Sequence, residues 1–378
     1  MTLARTMHVP LSMQDITQRE IDAVLAVLTS DRLSIGPRLE AFEEAAARRA
    51  GRAFAVGVNS GTSALHLCVK GLGLGPGDEV ITTPFSFIAT TNCLLFEQVR
   101  PVFVDIDPHS YNLDAKAIEA AITPRTAAIL PVEAFGNLAH FEQYERIAAR
   151  HGLAFIEDCC EALGGQLNGR PAGSFGNCGA FAFYPNKQIT TGEGGMLVTD
   201  DEHLRDLARS LRNQGRATDD WLAHARMGYN YRLSELAAAL GEVQMTRLDD
   251  ILARRRRVAT LYHDALADID ALHLPPMAQP KDASWFVYVV RLADRFTARD
   301  RDAILRRLRQ AGVGCNNYFS PIHLQPYIIE MLKTRPGQFP HTERIAERTI
   351  ALPFFAGMSE MQIAYVAEAL ADAIGKSA

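Results

Sequence analysis

The stretch Leu153-Ala-Phe-Ile-Glu-Asp158 is short, apolar and preceded directly by Gly152. A run of this length and composition is typical of a strand buried on both faces of a parallel sheet. Gly152 favours a helix C-terminus, so residues 140–150 are predicted to form the helix before the strand. Asp158 then lies at the strand's carboxyl end, which is the edge where open α/β sheets bind ligands.

The same alternation of short apolar runs and longer helical segments extends through the first 200 residues. The other apolar runs are residues 54–58, 79–87, 101–106, 127–132, 179–183 and 194–200. This pattern predicts an α/β fold in which a mostly parallel sheet is covered by helices on both faces.

The chain divides near residue 245. Residues 1–245 are predicted to form a large α/β domain whose N-terminal helix opens with the capping box Thr17-x-x-Glu20. One long helical connector follows Ser234, and residues 246–378 form a smaller α+β domain. Its expected elements are a strand at 285–292, helices at 301–310 and 341–350, and a last helix opened by Ser359-x-x-Gln362.

Charge and composition exclude several classes of function. The formal net charge of −5 gives no general attraction for nucleic acid, and residues 254–257, the one basic run, are expected on a solvated helix. No apolar stretch approaches the roughly 20 residues that span a bilayer, and the first residues lack a signal peptide's apolar core. We therefore expect a cytoplasmic protein with small-molecule partners. Its six cysteines lack paired metal spacing, so no metal site is expected.

Two segments carry candidate chemistry. At residues 58–67 a strand ends in small polar residues and a helix begins, so Gly61 and Thr62 could hold a phosphate, although a plain helix cap explains them equally well. Lys187 follows a strand in a loop punctuated by proline and glycine. Partial burial there would favour the neutral amine, which is the form that attacks an aldehyde.

Taken together, these candidate residues indicate a particular cofactor. Pyridoxal 5′-phosphate (PLP) needs a lysine for its aldehyde, a carboxylate for its pyridine nitrogen, an anion site for its phosphate and an apolar surface for its ring. This chain offers all four in a sensible order, with Lys187, Asp158 and the Gly61–Thr62 segment as the first three.

Over nearly its whole length the chain resembles the DegT/DnrJ/EryC1/StrS aminotransferases. The matching blocks are residues 59–67, 79–92, 101–107, 157–164, 183–196, 228–236, 318–327 and 351–360. The resemblance implies a fold-type-I PLP enzyme that works as a homodimer. Such enzymes commonly aminate a nucleotide-linked keto sugar with L-glutamate as the donor.

The resemblance also assigns roles to single residues. It makes Lys187 the catalytic Schiff-base lysine and Asp158 the partner of the pyridine nitrogen. It implies that Phe87 stacks on the cofactor ring and that Gly61 and Thr62 hold the phosphate. Asn230 would reach that phosphate from the neighbouring subunit, and the substrate side of the cleft would be lined by Tyr318 and His323.

Three positions depart from the commonest family pattern. Ala182 replaces a serine that holds the cofactor phosphate, so Asn186 or another group could share that role. Glu161 replaces a glutamine beside the cofactor's phenolic oxygen, and its carboxyl is expected to be protonated or turned away. Glu133 replaces a histidine, which leaves the substrate contacts of that loop open.

Three other functions compete with sugar transamination. A keto-cyclitol aminotransferase would present similar ring hydroxyls without a diphosphate. A PLP-dependent sugar 3-dehydratase shares the fold but carries histidine where this chain has Lys187. A non-catalytic PLP-binding regulatory protein would bind the cofactor without reacting with glutamate. The sequence leaves open the particular sugar, the aminated carbon and the stereochemistry.

Overall fold

The computed structural model describes residues 7–217, 222–276 and 284–376. Its strands in chain order are β1 Phe54–Val58, β2 Glu79–Thr82, β3 Arg100–Phe103, β4 Thr126–Leu130, β5 Ala154–Asp158, β6 Gln166–Leu167, β7 Arg170–Pro171, β8 Cys178–Ala182, β9 Gly195–Thr199, β10 Leu272–His273, β11 Tyr288–Leu292 and β12 Thr349–Leu352. Seven of them form one sheet in the order β1-β9-β8-β5-β4-β2-β3, and β9 is antiparallel to both of its neighbours. These are the seven strands that the apolar runs predict, so the mostly parallel sheet is confirmed.

Helices cover both faces of this sheet. In chain order they are α1 Gln18–Leu28, α2 Pro37–Ala50, α3 Gly61–Gly71, α4 Ala89–Phe96, α5 Ala115–Ala121, α6 Phe141–His151, α7 Glu202–Arg212, α8 Glu235–Thr246, α9 Leu248–Leu266, α10 Ala298–Gln310, α11 Pro326–Leu332, α12 Pro340–Ala346 and α13 Glu360–Gly375. Phe155 of β5 packs in one core with α2 and α6, whereas its neighbour Ile156 packs in another with α3 and α7. This alternation places a hydrophobic core on each face.

Local chemistry explains where several elements begin and end. Helix α6 ends at Gly152, whose φ of 64° is the left-handed conformation that glycine adopts without strain. Strand β5 starts two residues later, so Asp158 lies at the sheet edge as expected. The capping boxes of Thr17 with Glu20 and of Ser359 with Gln362 are both formed.

A separate, smaller core belongs to the C-terminal part of the chain, where β10, β11 and β12 form an antiparallel sheet packed with α9, α10 and α13. Helix α9 contributes Ile251 to the large core and Tyr262 to the small one, so it connects the two. Val9 also packs in the small core and pairs with Val313. The N-terminal segment therefore packs against the C-terminal core.

Three expectations about the C-terminal half are wrong in detail. The single connector is two helices, because the backbone leaves the helical conformation at Arg247, with φ −107° and ψ 1°. The helix expected at 341–350 ends at Ala346, because Thr349 and Ile350 are buried β-branched residues that pair with β11. Arg255, expected in solvent, is buried.

Within the three described ranges, no helix combines the length and the apolar character needed to cross a membrane.

Candidate active site

A cleft of about 930 Å³ lies at the carboxyl edge of the large sheet and is closed on one side by residues of the C-terminal part of the chain. Seven of the predicted site residues line it, namely Gly61, Thr62, Phe87, Asp158, Glu161, Lys187 and Tyr318. Residues that are far apart in sequence therefore meet at the sheet edge, as parallel strands with helical crossovers require.

Asp158 is the last residue of β5, and its side chain is buried beneath the floor of the cleft. Thr90 Oγ1 donates a 2.7 Å hydrogen bond to Asp158 Oδ2, and the Cys160 amide donates to Oδ1 at 3.3 Å. Burial raises the pKa of Asp158, although these donors and the charge of Lys187 oppose the shift. A carboxylate in this position gains most from a cationic partner, such as a protonated pyridine nitrogen.

Lys187 lies in the loop after β8, and its amide donates to Tyr184 O at 2.9 Å. Its Nζ is 4.0 Å from the centre of the Phe286 ring and 3.7 Å from Glu161 Oε1. Buried Arg255 holds the segment that carries Phe286, because it donates to the Trp285 and Phe286 carbonyls at 2.7 Å each. The lysine is therefore fixed between an aromatic face and a carboxyl group.

Glu161 is turned toward the cleft, and its side chain is buried. Its Oε2 accepts a 2.8 Å hydrogen bond from the Phe135 amide, which leaves Oε1 facing Lys187. Burial raises the pKa of Glu161, with Lys187 acting in the opposite direction. The raised pKa favours a protonated carboxyl, which can donate a hydrogen bond to a neighbouring phenolate as a glutamine would.

The N-terminus of α3 faces the opposite end of the cleft. Ser60 caps the helix by accepting from the Ser63 amide, and the first-turn amides of Gly61 and Thr62 have no intrahelical acceptor. A Cβ atom at Gly61 would lie 2.6 Å from Ala182 Cβ, so only glycine permits this close approach. An anion placed there meets free amides and the positive end of the helix.

The remaining features also fit PLP. Phe87 lines the cleft with 63% of its surface exposed, which is enough for an aromatic ring to stack on it. Asn186, one of the groups that could share the role of a phosphate-binding serine, lines the same cleft, and its buried Oδ1 has no hydrogen-bond donor among the described residues. The residues present can therefore hold the ring, the phosphate and the aldehyde of this cofactor.

Two predicted residues lie elsewhere. His323 is fully buried, approaches Glu343 Oε1 at 3.0 Å and packs edge-on against Phe339, so it does not line the cleft described here. Its position is that of a packed loop residue rather than of a substrate ligand. Asn230 is exposed and also lies outside the cleft of its own chain, so any contact with a cofactor phosphate has to be made in another subunit.

Glu133, which the sequence leaves as a possible substrate contact, is completely buried behind the strand ends. The carboxyl of Glu133 lies next to the carboxyl of Glu157 and the thiol of Cys159. One oxygen of each carboxyl and the Cys159 sulfur all lie within 4.8 Å of one another. Glu157 accepts from the Gly173 and Phe175 amides at 2.7 and 2.9 Å. Burial and the charge of Glu157 raise the pKa of Glu133 well above its usual range, so a proton on Glu133 explains the pair without a metal ion.

Sequence reasoning missed three supporting residues. Thr90 contacts Asp158, Phe286 faces Lys187, and Arg255 holds Phe286 in place. Thr90 lies three residues after Phe87, at the start of α4. This short distance along the chain from a predicted site residue is the feature of the sequence that points to Thr90. No local pattern signals Phe286 or Arg255, because both act across the boundary between the two cores.

The fold, with Lys187 and Asp158 in one cleft at the edge of a mostly parallel sheet, is that of a PLP-dependent enzyme of fold type I. Comparison with known proteins agrees with this class and narrows it. The model of the DegT/DnrJ/EryC1/StrS aminotransferase family matches residues 14–371. The chain belongs to this family, and it is a PLP-dependent aminotransferase.

Individual relatives cover almost the whole chain. GDP-perosamine synthase from Caulobacter vibrioides is 36% identical, over 93% of this chain and 94% of that protein. The structure of Helicobacter pylori PseC, an aminotransferase involved in pseudoaminic acid biosynthesis, matches with a TM-score of 0.93 and 28% identity, over 98% of this chain and 100% of that one. The PLP form of a Streptococcus pneumoniae protein matches with a TM-score of 0.94 and 26% identity, over 98% and 100% of the two chains.

Proposed function

We propose that this enzyme transfers an amino group from L-glutamate to the keto group of a nucleotide-linked sugar. The observation that carries the proposal is the convergence of Lys187, Asp158 and the N-terminus of α3 on one cleft. The kinship with GDP-perosamine synthase supports a nucleotide-linked sugar as the acceptor.

Three residues of the cleft would have separate roles in this reaction. Lys187 would hold the cofactor aldehyde, and its free amine would be placed to move a proton at the reacting carbon. Asp158 would hold the pyridine nitrogen, and as an anion it would keep that nitrogen protonated. PLP supplies the electron sink that accepts the electron pair of the broken C–H bond. Glu161, when protonated, would donate a hydrogen bond to the cofactor's phenolic oxygen.

The wall opposite the strand ends suits a hydroxyl-rich substrate. Asn316, Asn317, Ser320 and Gln325 line the cleft on that side, together with Tyr318. Amide and hydroxyl groups can both donate to and accept from sugar hydroxyls. A volume of about 930 Å³ is near the upper end of ordinary ligand pockets, so cofactor and sugar can be held together.

A homodimer with shared sites completes the proposal. Asn230 lies outside its own cleft and is exposed, as a residue offered to a neighbouring subunit must be. We propose that it donates to the phosphate held by Gly61 and Thr62 of the partner subunit. A monomer would then lack part of its phosphate site.

The test is a pair of half-reactions on the purified, PLP-loaded enzyme. Addition of L-glutamate should convert bound PLP to its amine form with release of 2-oxoglutarate. The aminated enzyme is then offered nucleoside-diphosphate keto sugars, the same sugars without the nucleotide, and keto-inositols. Turnover confined to the nucleotide-linked sugars supports the proposal. Turnover of keto-inositols alone would establish the cyclitol enzyme instead, and no reaction with any amino donor would indicate a regulatory protein.

A further inference from the structure

The segment Tyr229–Tyr231 is fastened to the large domain by a polar network that the reaction itself does not use. Its centre is Glu97, the residue after α4, with 12% of its side chain exposed. Glu97 Oε1 accepts from Tyr229 OH at 3.1 Å and from His66 Nε2 at 2.8 Å, and Oε2 accepts from Lys70 at 2.6 Å. Three donors thus converge on one carboxylate.

His66 on α3 is the second member of the network. Its ring is 3% exposed, and its Nδ1 lies 3.0 Å from Tyr231 OH. Burial lowers the pKa of His66, which favours the neutral ring. In that form Nε2–H donates to Glu97 and Nδ1 accepts from Tyr231, so both ring nitrogens and both phenols are satisfied.

Glu97 remains charged in these surroundings. Burial alone would raise the pKa of Glu97, but the hydrogen bonds from Lys70, His66 and Tyr229 outweigh it and lower the pKa. Burial and the nearby carboxylate raise the pKa of Tyr229 to about 12, so its phenol stays protonated and donates. Charge-assisted hydrogen bonds of this kind are roughly twice as strong as neutral ones.

The backbone of the same segment is extended and is held on two sides. The Tyr229 and Tyr231 amides donate to the carbonyls of Leu211 and Arg212, and the Asn59 amide donates to Tyr231 O. Side chains alternate along an extended chain, so Tyr229 and Tyr231 share one face, where their rings stack at 4.8 Å. Asn230 therefore points to the opposite face, away from α3.

We propose that Glu97 and His66 are positioning residues for the active site of the other subunit, because they fix the two tyrosines that aim Asn230 outward. The inference rests on the proposed dimer with Asn230 serving the partner's phosphate site. Helix α3 would then serve both sites. Its first turn would hold the phosphate of its own site, and His66, about one turn later, would position Asn230 for the site of the neighbouring subunit.

The experiment uses heterodimers with one reactive lysine. One chain carries Lys187→Ala, so borohydride can trap PLP only on the Lys187 of the other chain. Glu97→Gln, which keeps the shape but removes the charge, is placed either on the Lys187→Ala chain or on the chain with the intact lysine. The measurement is the PLP concentration that half-saturates the trappable site. Glu119→Gln, at an exposed ion pair with Arg150, is the matched control.

We expect Glu97→Gln to raise this concentration about tenfold when it lies on the chain without the lysine, since one charge-assisted hydrogen bond is worth at least that factor. On the lysine-bearing chain it should have no effect. Tyr229→Phe should act in the same direction, and Glu119→Gln should be silent in both arrangements.

An effect confined to the lysine-bearing chain, an equal effect in both arrangements, or no effect would each overturn the inference. Asn230→Ala in the same two arrangements separates this from a failure of the proposed dimer. If Asn230→Ala weakens PLP in trans while Glu97→Gln does not, only the positioning role fails. If the chains do not form dimers, or Asn230→Ala is silent, the shared site itself is wrong.

Discussion

Thr90 Oγ1 donates a 2.7 Å hydrogen bond to Asp158 Oδ2, and it is the only described side-chain hydroxyl that does so. The bond favours the ionised carboxyl in a position where burial favours the neutral one. A cofactor nitrogen stays protonated only beside an anion, so Thr90 supports the reaction through Asp158.

Thr90→Val should therefore lower kcat by about 10- to 100-fold, which corresponds to a hydrogen bond to a charged group of roughly 1.5–3 kcal/mol. Thr90→Ser keeps the hydroxyl and is the control, with kcat close to that of the parent enzyme. Asp158→Asn should retain PLP and lose at least as much rate as Thr90→Val. Steady-state kinetics with L-glutamate measures all three, and a fully active Asp158→Asn enzyme would disprove the role of the carboxylate.

Lys187→Ala should abolish the borohydride-stable attachment of PLP, because no other amine lies in the described wall of the cleft. Mass spectrometry of the reduced protein measures the attachment. Lys116→Ala on α5 is the control, since that lysine is exposed and remote from the cleft. Persistence of a PLP adduct in the Lys187→Ala protein would show that the lysine is misassigned.

Glu161→Gln should leave the neutral-pH activity nearly unchanged and alter the alkaline limb of the pH profile. The pKa of Glu161 is raised by burial, so its carboxyl is protonated at low pH and ionises as the pH rises. The ionised form repels the cofactor's phenolate, so the parent enzyme should lose PLP affinity toward alkaline pH. The glutamine variant should lose less PLP affinity over the same pH range. If PLP binding by the two proteins changed with pH in the same way, a protonated Glu161 would be excluded.

The strands of the large sheet could be predicted from sequence because most of them are buried on both faces, and each stands out as an apolar run between helical segments. Asp158 and Lys187 could be placed at the sheet edge for a related reason, since Asp158 ends one such strand and Lys187 lies in the loop after another. The break at Arg247 could not, because no glycine or proline marks it and tertiary packing decides the backbone there.

Other contacts around the site could not be predicted for a similar reason. The resemblance implies that His323 lines the substrate side of the cleft, but its partner Glu343 is 20 residues away on α12, and only the folded chain shows that the imidazole is buried against it. Phe286 reaches Lys187 from a segment almost 100 residues further along the chain. Contacts that depend on how two hydrophobic cores pack together leave no periodic signal in either partner.

Glu133→Gln should stabilise the protein above neutral pH. The pKa of Glu133 is raised in the folded state by burial and by the charge of Glu157, so the folded chain binds a proton that the unfolded chain has released. The stability that depends on this proton is complete below the unfolded pKa of about 4.3 and is lost as the pH rises toward the folded pKa. Glutamine supplies a permanent donor to Glu157 and removes that dependence.

Chemical denaturation at several pH values should show the free energies of unfolding of parent and variant diverging as the pH rises. Glu133→Ala is the contrasting variant: it leaves a cavity and removes the donor next to Glu157, and it should destabilise the fold at every pH. A Glu133→Gln protein with the same pH dependence as the parent would mean that Glu133 does not hold the proton.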